Sequence, residues 1–363
     1  MKIKRLPINT NLSRLVILLI GLMGGIASAQ STKISGIVVD ATTAEPLMGV
    51  AVYISGTSTG VVTGPDGTYN IIYSPAYNAP LVFAFLGYEK IQIENPIDMD
   101  LSRVKMTEQT NTLEAVVIDP DPWDRATKEE LFLNYFVGKR SREDATVLNL
   151  KDVKLRFNPS LKQLIAFASN PILLKNEELG YLITYDLAEF EVNFKFIPNS
   201  TDIEKVFRLE HARDRYIAEN SFVSGTSFYR EFPGKKPTER QRERRRKKAF
   251  SKSHLRLFRS IISEQLNEAN FELFYDGFKV KPEDHIRVRR ESDEVYQVTF
   301  RNLKYSIRDR DGNQTDMYLS SNYMYIDRYG NNLSPRELML SGYIPELGVG
   351  GMMPMDYDYS VGQ

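Results

Sequence analysis

Between residues 33 and 118 the chain repeats one pattern: a short segment rich in Val, Ile, Tyr and Phe, followed by a turn. Segments 34–40, 50–55, 68–73, 81–86 and 90–94 share that make-up. Within Val50-Ala51-Val52-Tyr53-Ile54 the residues at 50, 52 and 54 fall on one face of a strand, because side chains alternate with a period of two. Gly64-Pro65-Asp66-Gly67 lies between two such segments, with Pro presetting φ and Gly accepting a positive φ, which predicts a hairpin turn. Strands at this spacing, with no helical run between them, predict a small β-sandwich.

The residues ahead of this region set an address. Lys2, Lys4, Arg5 and Arg14 precede an apolar run over 15–26 that ends in Ala27-Ser28-Ala29 before Gln30. A charged start, a short apolar core and a small-x-small step predict a secretory signal over 1–29, cleaved between Ala29 and Gln30. The run falls short of the ~20 residues that span a bilayer, so no retained transmembrane helix is expected. An exported chain, periplasmic or associated with the outer membrane, is expected to have neither nucleotide-driven nor nucleic-acid functions. The full chain balances 47 basic against 47 acidic residues, and removing 1–29 takes away four basic groups, leaving a net charge of about −4. There is no cysteine, which excludes thiol catalysis, cysteine-ligated zinc and a lipid-modified amino-terminal Cys. Stability must rest on burial, to which 19 Phe and 20 Tyr contribute.

Four blocks of the first region are familiar: Ile37-Val38-Val39-Asp40, Glu45-Pro46-Leu47-Met48-Gly49-Val50, residues 60–69 around the Gly64-Pro65-Asp66-Gly67 turn, and Phe85-Leu86-Gly87-Tyr88. In order and spacing they resemble the carboxypeptidase regulatory-like domain, a transthyretin-like β-sandwich common in Bacteroidetes surface proteins. The resemblance implies a sandwich over 30–118 and carries none of the catalytic residues of metallocarboxypeptidases. Leu113-Glu114-Ala115-Val116-Val117-Ile118 also resembles the strand that closes this module in SusC-type, TonB-dependent transporters. At ~10 residues per strand, a plug followed by a 22-stranded barrel is not expected within the residues that follow.

Asp119-Pro120-Asp121-Pro122-Trp123-Asp124 reads as a stiff connector, placing a linker at 119–126. Trp123 is expected to pack on a domain face. Thr127 followed by Glu130 fits a capping box opening a helix through Leu131, Phe132, Tyr135 and Phe136 toward Gly138. Segments 151–157, 161–168, 181–196 and 221–232 read as extended, and Phe190, Val192, Phe194 and Phe196 alternate with polar residues as in a half-buried strand. One long helix is expected over 238–269, with Phe250, His254, Phe258, Ile261, Ile262 and Leu266 on one face. Strands are then predicted over 271–275, 286–290, 295–302, 304–310 and 317–326. Residues 127–363 thus read as an α+β domain of unknown function, a largely antiparallel sheet with one long helix, behind an all-β sandwich. Residues 179–187, residues 249–260 and Tyr329-Gly330-Asn331 with Leu340-Ser341-Gly342-Tyr343 resemble uncharacterised Bacteroidetes proteins that carry the same first module. That resemblance implies an architecture and no activity.

The densest charge is Arg240, Arg242, Arg244, Arg245, Arg246, Lys247 and Lys248, beside Lys235 and Lys236. Such a run can hold an anionic surface, such as lipopolysaccharide or an acidic glycan, or a protein partner. It can equally pair with acids on the sheet, and at the start of a helix positive charge needs an offset against the dipole. His211, His254 and His285 stand in no HExxH pattern, and no Gly-x-Ser-x-Gly, phosphate loop or dinucleotide fingerprint occurs. Neither metal nor cofactor is expected. His254 reads as a core histidine. Asp309, Asp311, Asn313 and Asp316 sit wrongly for an EF-hand and read as a hairpin turn. Asp356 and Asp358 could in principle serve acid–base chemistry on a sugar. The sequence therefore favours a non-enzymatic cell-envelope protein, a docking or binding module for a protein or glycan partner. The alternatives are a carboxylate-dependent hydrolase or glycan-processing enzyme, and an accessory subunit of a TonB-dependent outer-membrane importer.

Overall fold

The computed structural model describes residues 31–109, 121, 123–196, 207–208, 215–233 and 237–357. The expected signal and its Ala29–Gln30 step, the 113–118 segment, Pro120, Pro122, His211, Lys235, Lys236 and Asp358 lie outside the described residues.

The first module contains β1 (Thr32–Asp40), β2 (Ala51–Ile54), β3 (Gly60–Val62), β4 (Thr68–Tyr73), β5 (Leu81–Ala84), β6 (Ile91–Ile93) and β7 (Arg103–Met106). They form two sheets, β4-β1-β7 and β3-β2-β5-β6, in which only β1 and β7 run parallel. In β4 the residues alternate out and in, so Tyr69, Ile71 and Tyr73 are buried while Thr68, Asn70 and Ile72 face out. Tyr69 meets Phe83 of the other sheet edge-on at 5.2 Å, and Val38, Val52, Ile54 and Leu81 fill the space between. Each such buried aliphatic side chain contributes about 1.5–3 kcal/mol. The Gly64-Pro65-Asp66-Gly67 turn closes through Gly67 N to Gly64 O at 2.9 Å, and the Asp66 carboxylate accepts from Thr68 N at 3.1 Å. Gly67 sits at φ +70°, where a Cβ would lie 2.6 Å from the Val38 carbonyl, so only glycine fits.

The connector is bound along its described part. Asp121 accepts from Lys128 Nζ at 2.7 Å and from Phe157 N at 3.1 Å. Trp123 is 4 % exposed and stacks on Phe157 with ring centroids 3.6 Å apart. Helix α1 (Arg125–Leu133) begins earlier than predicted: Asp124 is the cap and accepts from Thr127 N at 2.8 Å. Thr127 is therefore inside the first turn. Two bonds from Arg125, to Val153 O at 2.7 Å and Leu150 O at 3.0 Å, fix the earlier start. The helix continues as a π turn over Asn134–Gly138 and ends at Gly138, φ +97°, where a Cβ would overlap the Leu347 carbonyl.

Next come β8 (Ala145–Val147), β9 (Val153–Asn158), β10 (Gln163–Ala168), β11 (Ile172–Asn176), β12 (Tyr181–Phe196), β13 (Phe207–Arg208) and β14 (Arg215–Glu231), joined in one antiparallel sheet. The 16-residue β12 and 17-residue β14 pair along their length with two register shifts. Phe190, Val192 and Phe194 are buried as the alternation predicts, and this sheet's buried face is continuous with the sandwich core.

The single long helix expected over 238–269 is two helices, α2 (Glu239–Ser251) and α3 (His254–Ile262). The chain turns at Lys252, and Ser253, 1 % exposed, caps α3 by accepting from Arg256 N at 3.2 Å while its hydroxyl donates to Phe250 O. A buried serine cap breaks the helix without Pro or Gly, so the apolar periodicity runs through the break.

The last part holds β15 (Phe271–Tyr275), β16 (Phe278–Val280), β17 (Ile286–Arg290), β18 (Val295–Phe300), β19 (Lys304–Asp309), β20 (Gln314–Leu319), β21 (Tyr323–Asp327) and β22 (Leu338–Gly342). They form sheets β16-β15-β19-β20-β22 and β17-β18-β21. Segment 317–326, predicted as one strand, is split between these sheets at 320–322, where Ser320 N bonds to Glu337 O and Phe300 N to Asn322 O. Leu257, Phe258 and Ile261 of α3 bury against both sheets in a second core with Leu273, Val298, Met317 and Ile326. The molecule is thus an all-β sandwich followed by α+β structure with largely antiparallel sheets.

Because Trp123 is the single tryptophan, its fluorescence reports on the sheet it caps. Phe157→Ala removes its stacking partner and is expected to cost about 3–5 kcal/mol in a urea titration followed at that emission.

Candidate functional site

The seven cations of α2 separate into two sets. Arg242 and Arg246 are buried, at 3 % and 5 % exposure. Arg246 Nε donates to Leu179 O at 2.7 Å, its Nη1 donates to Glu231 at 2.8 Å, and its guanidinium lies 4.4 Å from the Tyr181 ring centroid. Arg242 Nη1 donates to Phe232 O at 2.9 Å and packs over the Phe232 ring. Between them passes Gly180, φ +71°, whose absent Cβ would lie 2.7 Å from Arg242 Cδ. Both arginines therefore clamp the turn that starts β12. The dipole conflict at the helix start is offset by Glu239, 3.7 Å from Arg242 and 3.4 Å from Arg246, and by a capping box between Thr238 and Gln241.

The other five face outward. Arg245 pairs with Glu178, and Lys247 pairs with Glu243 at 3.2 Å. The side chains of Arg240, Arg244 and Lys248 are exposed and enter no ion pair or hydrogen bond among the described residues; the Lys248 charge reaches Asp311, whose carboxyl it helps to lower. Four residues apart, they stand about 6 Å from one another along one helix face.

A second constellation joins the sandwich to everything else. Gly56 N donates to Ser227 O at 2.7 Å, Tyr229 N donates to Thr57 O at 3.0 Å, and Met355 N donates to Gly56 O at 2.8 Å. Tyr53 stacks on Phe228 at 5.1 Å, and Gly60 leaves the room this needs, since a Cβ there would lie 2.6 Å from the Phe228 ring. Asp356 accepts from Ser58 N at 3.0 Å and Ser58 Oγ at 2.7 Å. Lys90 pairs with Asp186 at 3.0 Å, and Tyr77 packs against Tyr329 at 5.0 Å. Behind this joint Arg259 donates to Tyr329 O and to Met355 O, each at 2.7 Å. Asp327, with no exposed surface, accepts from Tyr329 N, Asn331 N and Asn331 Nδ2 at 2.7–2.9 Å. Burial pushes its carboxyl up to about 6 despite those bonds and the Arg259 charge. Burial, with Arg259 nearby, pushes the half-buried His254 down to about 4.

The remaining sequence candidates take structural positions. Asp309 accepts from Asp311 N and Asn313 N, both at 2.9 Å, which is the hairpin turn between β19 and β20. Asp356 is committed to Ser58. His285 Nδ1 lies 3.2 Å from Tyr305 Oη. No group of metal-ligating side chains gathers among the described residues. Open clefts among the described residues include one of about 400 Å³ lined by Leu86, Gln109, Asp152 and Asn170, and one of about 390 Å³ lined by Asn270, Glu272, Lys279 and Asp309. In the second, Glu272 is paired with Lys279 at 2.5 Å. The joint carries no local sequence signature: its contacts link residues as far apart as Gly56 and Met355, largely through main-chain atoms.

Residues 34–118 match the family model of the CarboxypepD_reg-like domain, so the chain carries that domain at its start. The chain is also 28 % identical over 153 residues to TonB-dependent receptor P3 of Formosa agariphila, covering 42 % of this chain and 14 % of that protein. It is 34 % identical over 92 residues to TonB-dependent receptor SusC of Bacteroides thetaiotaomicron, covering 25 % of this chain and 9 % of that one. The chain thus matches only a small part of these relatives' length. A solved protein of unknown function from Bacteroides fragilis aligns over 86 % of this chain and 98 % of that one, with 10 % identity and a TM-score of 0.17, a likeness that carries no argument. Among the described residues no helix is long and apolar enough to cross a membrane, which leaves β-barrels unaddressed.

Arg242→Ala and Arg246→Ala are each expected to lower stability by about 2 kcal/mol or more, because partners stay behind without their guanidinium. Alanine at Arg240, Arg244 or Lys248 is expected to stay within about 0.5 kcal/mol; chemical denaturation of the five variants checks both. His254 falls from an ordinary 6.5 to about 4 in the fold, so the unfolded chain binds its proton first and stability falls as pH drops through that window. Asp327, raised from 3.8 to about 6, acts oppositely, since its contribution is present below 3.8 and lost as pH rises through 6. The difference between His254→Leu and the wild type isolates the first effect. The variant is expected to gain up to about 2–3 kcal/mol on the wild type between pH 6.5 and pH 4.

Proposed function

We propose that this chain is a non-enzymatic cell-envelope protein whose CarboxypepD_reg-like sandwich serves as a docking module for a protein partner of the outer membrane. The observation that carries the reading is the joint between sandwich and sheet. Main-chain bonds and a continuous core fix the receptor-related module on the α+β body, so its outer surface is presented in one orientation. That surface keeps Met48, Val62, Ile72, Leu86 and Met99 more than half exposed. The likeness to TonB-dependent receptors supports an outer-membrane receptor as the partner and an accessory role in an importer. A carboxylate enzyme is less well supported, because in the α+β cleft Glu272 is tied to Lys279 and Asp309 to its own turn.

The test is recovery of tagged protein from detergent-solubilised envelopes. The exported protein is expected to begin at Gln30 by amino-terminal sequencing and to bring down one stoichiometric outer-membrane protein. Leu86→Ser and Ile72→Ser are expected to reduce that recovery with melting unchanged. Recovery of the protein alone, with turnover of a glycan or peptide lost on a single side-chain change, contradicts the reading.

A further inference from the structure

The outer face of α2 has a composition that the fold does not use. Arg242 and Arg246 meet the structural requirement from beneath, and Arg245 leans to Glu178 at the side. What faces solvent is Arg240, Arg244, Lys247 and Lys248, with Gln241, Ser251 and two acids, Glu243 and, at the first turn, Glu239, whose carboxylate is turned to Arg242 and Arg246. The Lys247–Glu243 pair is more than half exposed on both sides, so it holds Lys247 only weakly. Of the acids beyond the helix, Glu178 pairs with Arg245, Glu231 with Arg246 and Asp311 with Lys252, Asp311 also feeling the charge of Lys248.

Two features of this face select its occupant. It is convex, the outside of a 13-residue helix, and neither of these clefts is lined by any of its residues. A single small anion would find no enclosure there, whereas an extended planar array of anions meets all four cations at once. The face also carries no apolar side chain to insert. Binding by it must be electrostatic and superficial. The clamp below adds rigidity, because Arg246 and Arg242 fix the helix to the β12 turn and keep the cations in register. A face of charges held in place and left unpaired by the fold is complementary to a fixed negative surface.

We propose that the outer face of α2, through Arg240, Arg244 and Lys248 with Lys247 beside them, binds the phosphate layer of an anionic lipid bilayer. This would orient the protein at the membrane while the sandwich remains free for its partner. The inference rests on the envelope location proposed above, and the two fail separately: sequencing and pull-down test the location, and purified vesicles test the face.

The experiment is co-sedimentation of the purified exported protein with vesicles of phosphatidylethanolamine and phosphatidylglycerol, against vesicles of phosphatidylcholine alone. Binding is expected to the anionic vesicles only, and to disappear at high salt. In the triple variant Arg240→Gln, Arg244→Gln, Lys248→Gln, the partition coefficient is expected to fall about fivefold per cation removed, with an unchanged melting curve. Lys279→Gln, a cation outside this face, is expected to bind as the wild type does. Equal binding to phosphatidylcholine overturns the proposal, as does undiminished binding of the triple variant. So does binding to a soluble acidic polymer such as polyglutamate with none to the anionic vesicles.

Discussion

The architecture depends on a few main-chain hydrogen bonds at residues 56 and 57. Gly56 donates to Ser227 in β14 and accepts from Met355, while Thr57 accepts from Tyr229. One turn of the sandwich is thereby built into the edge of the long sheet on one side and tied to the carboxyl-terminal segment on the other. Backbone groups buried in such a joint must find partners, and these three bonds satisfy them reciprocally. The side chains follow from this: Tyr53 can lie on Phe228 only because the two strands are held at that spacing, and Gly60 keeps the space open. Asp356 then closes the corner on Ser58.

This joint changes what the first module can be. A sandwich on a stiff proline-rich stalk would sample many orientations. Here its core is continuous with that of the sheet, and the described part of the stalk, Asp121 and Trp123, is bound against β9. The α3 helix connects the joint to the second core. Its Arg259 holds Tyr329 and Met355 on one face, while Phe258 and Ile261 pack between the two carboxyl-terminal sheets on the other. The basic helix α2 hangs from the same long hairpin through Arg242 and Arg246. Sandwich, hairpin and basic face therefore keep fixed mutual positions.

Local features of this fold were legible in the sequence, and non-local ones were not. The sandwich strands, the Gly64-Pro65-Asp66-Gly67 turn and the alternation of Phe190, Val192 and Phe194 follow from residue periodicity and turn chemistry. The cap of α1 was misplaced because Asp124 and Thr127 are both good caps, and bonds from Arg125 to a distant strand decide between them. The break between α2 and α3 rests on one buried serine inside an uninterrupted apolar pattern. The division of the basic run was hidden for a related reason. Arg246 and Arg242 are held by the carbonyls of Leu179 and Phe232, and a carbonyl carries no sequence signature. Only once these two are placed does the unpaired set at 240, 244 and 248 stand out.

A joint of this kind makes sandwich and sheet one cooperative unit. Native-state hydrogen exchange across increasing denaturant tests it most directly, comparing amides of β2 and β5 in the sandwich with those of β12, and with the Tyr229 amide at the joint itself. All of them are expected to exchange through the same global opening, with one free energy and one denaturant dependence. Exchange of β2 and β5 through a separate, lower-energy opening that leaves β12 protected would contradict it.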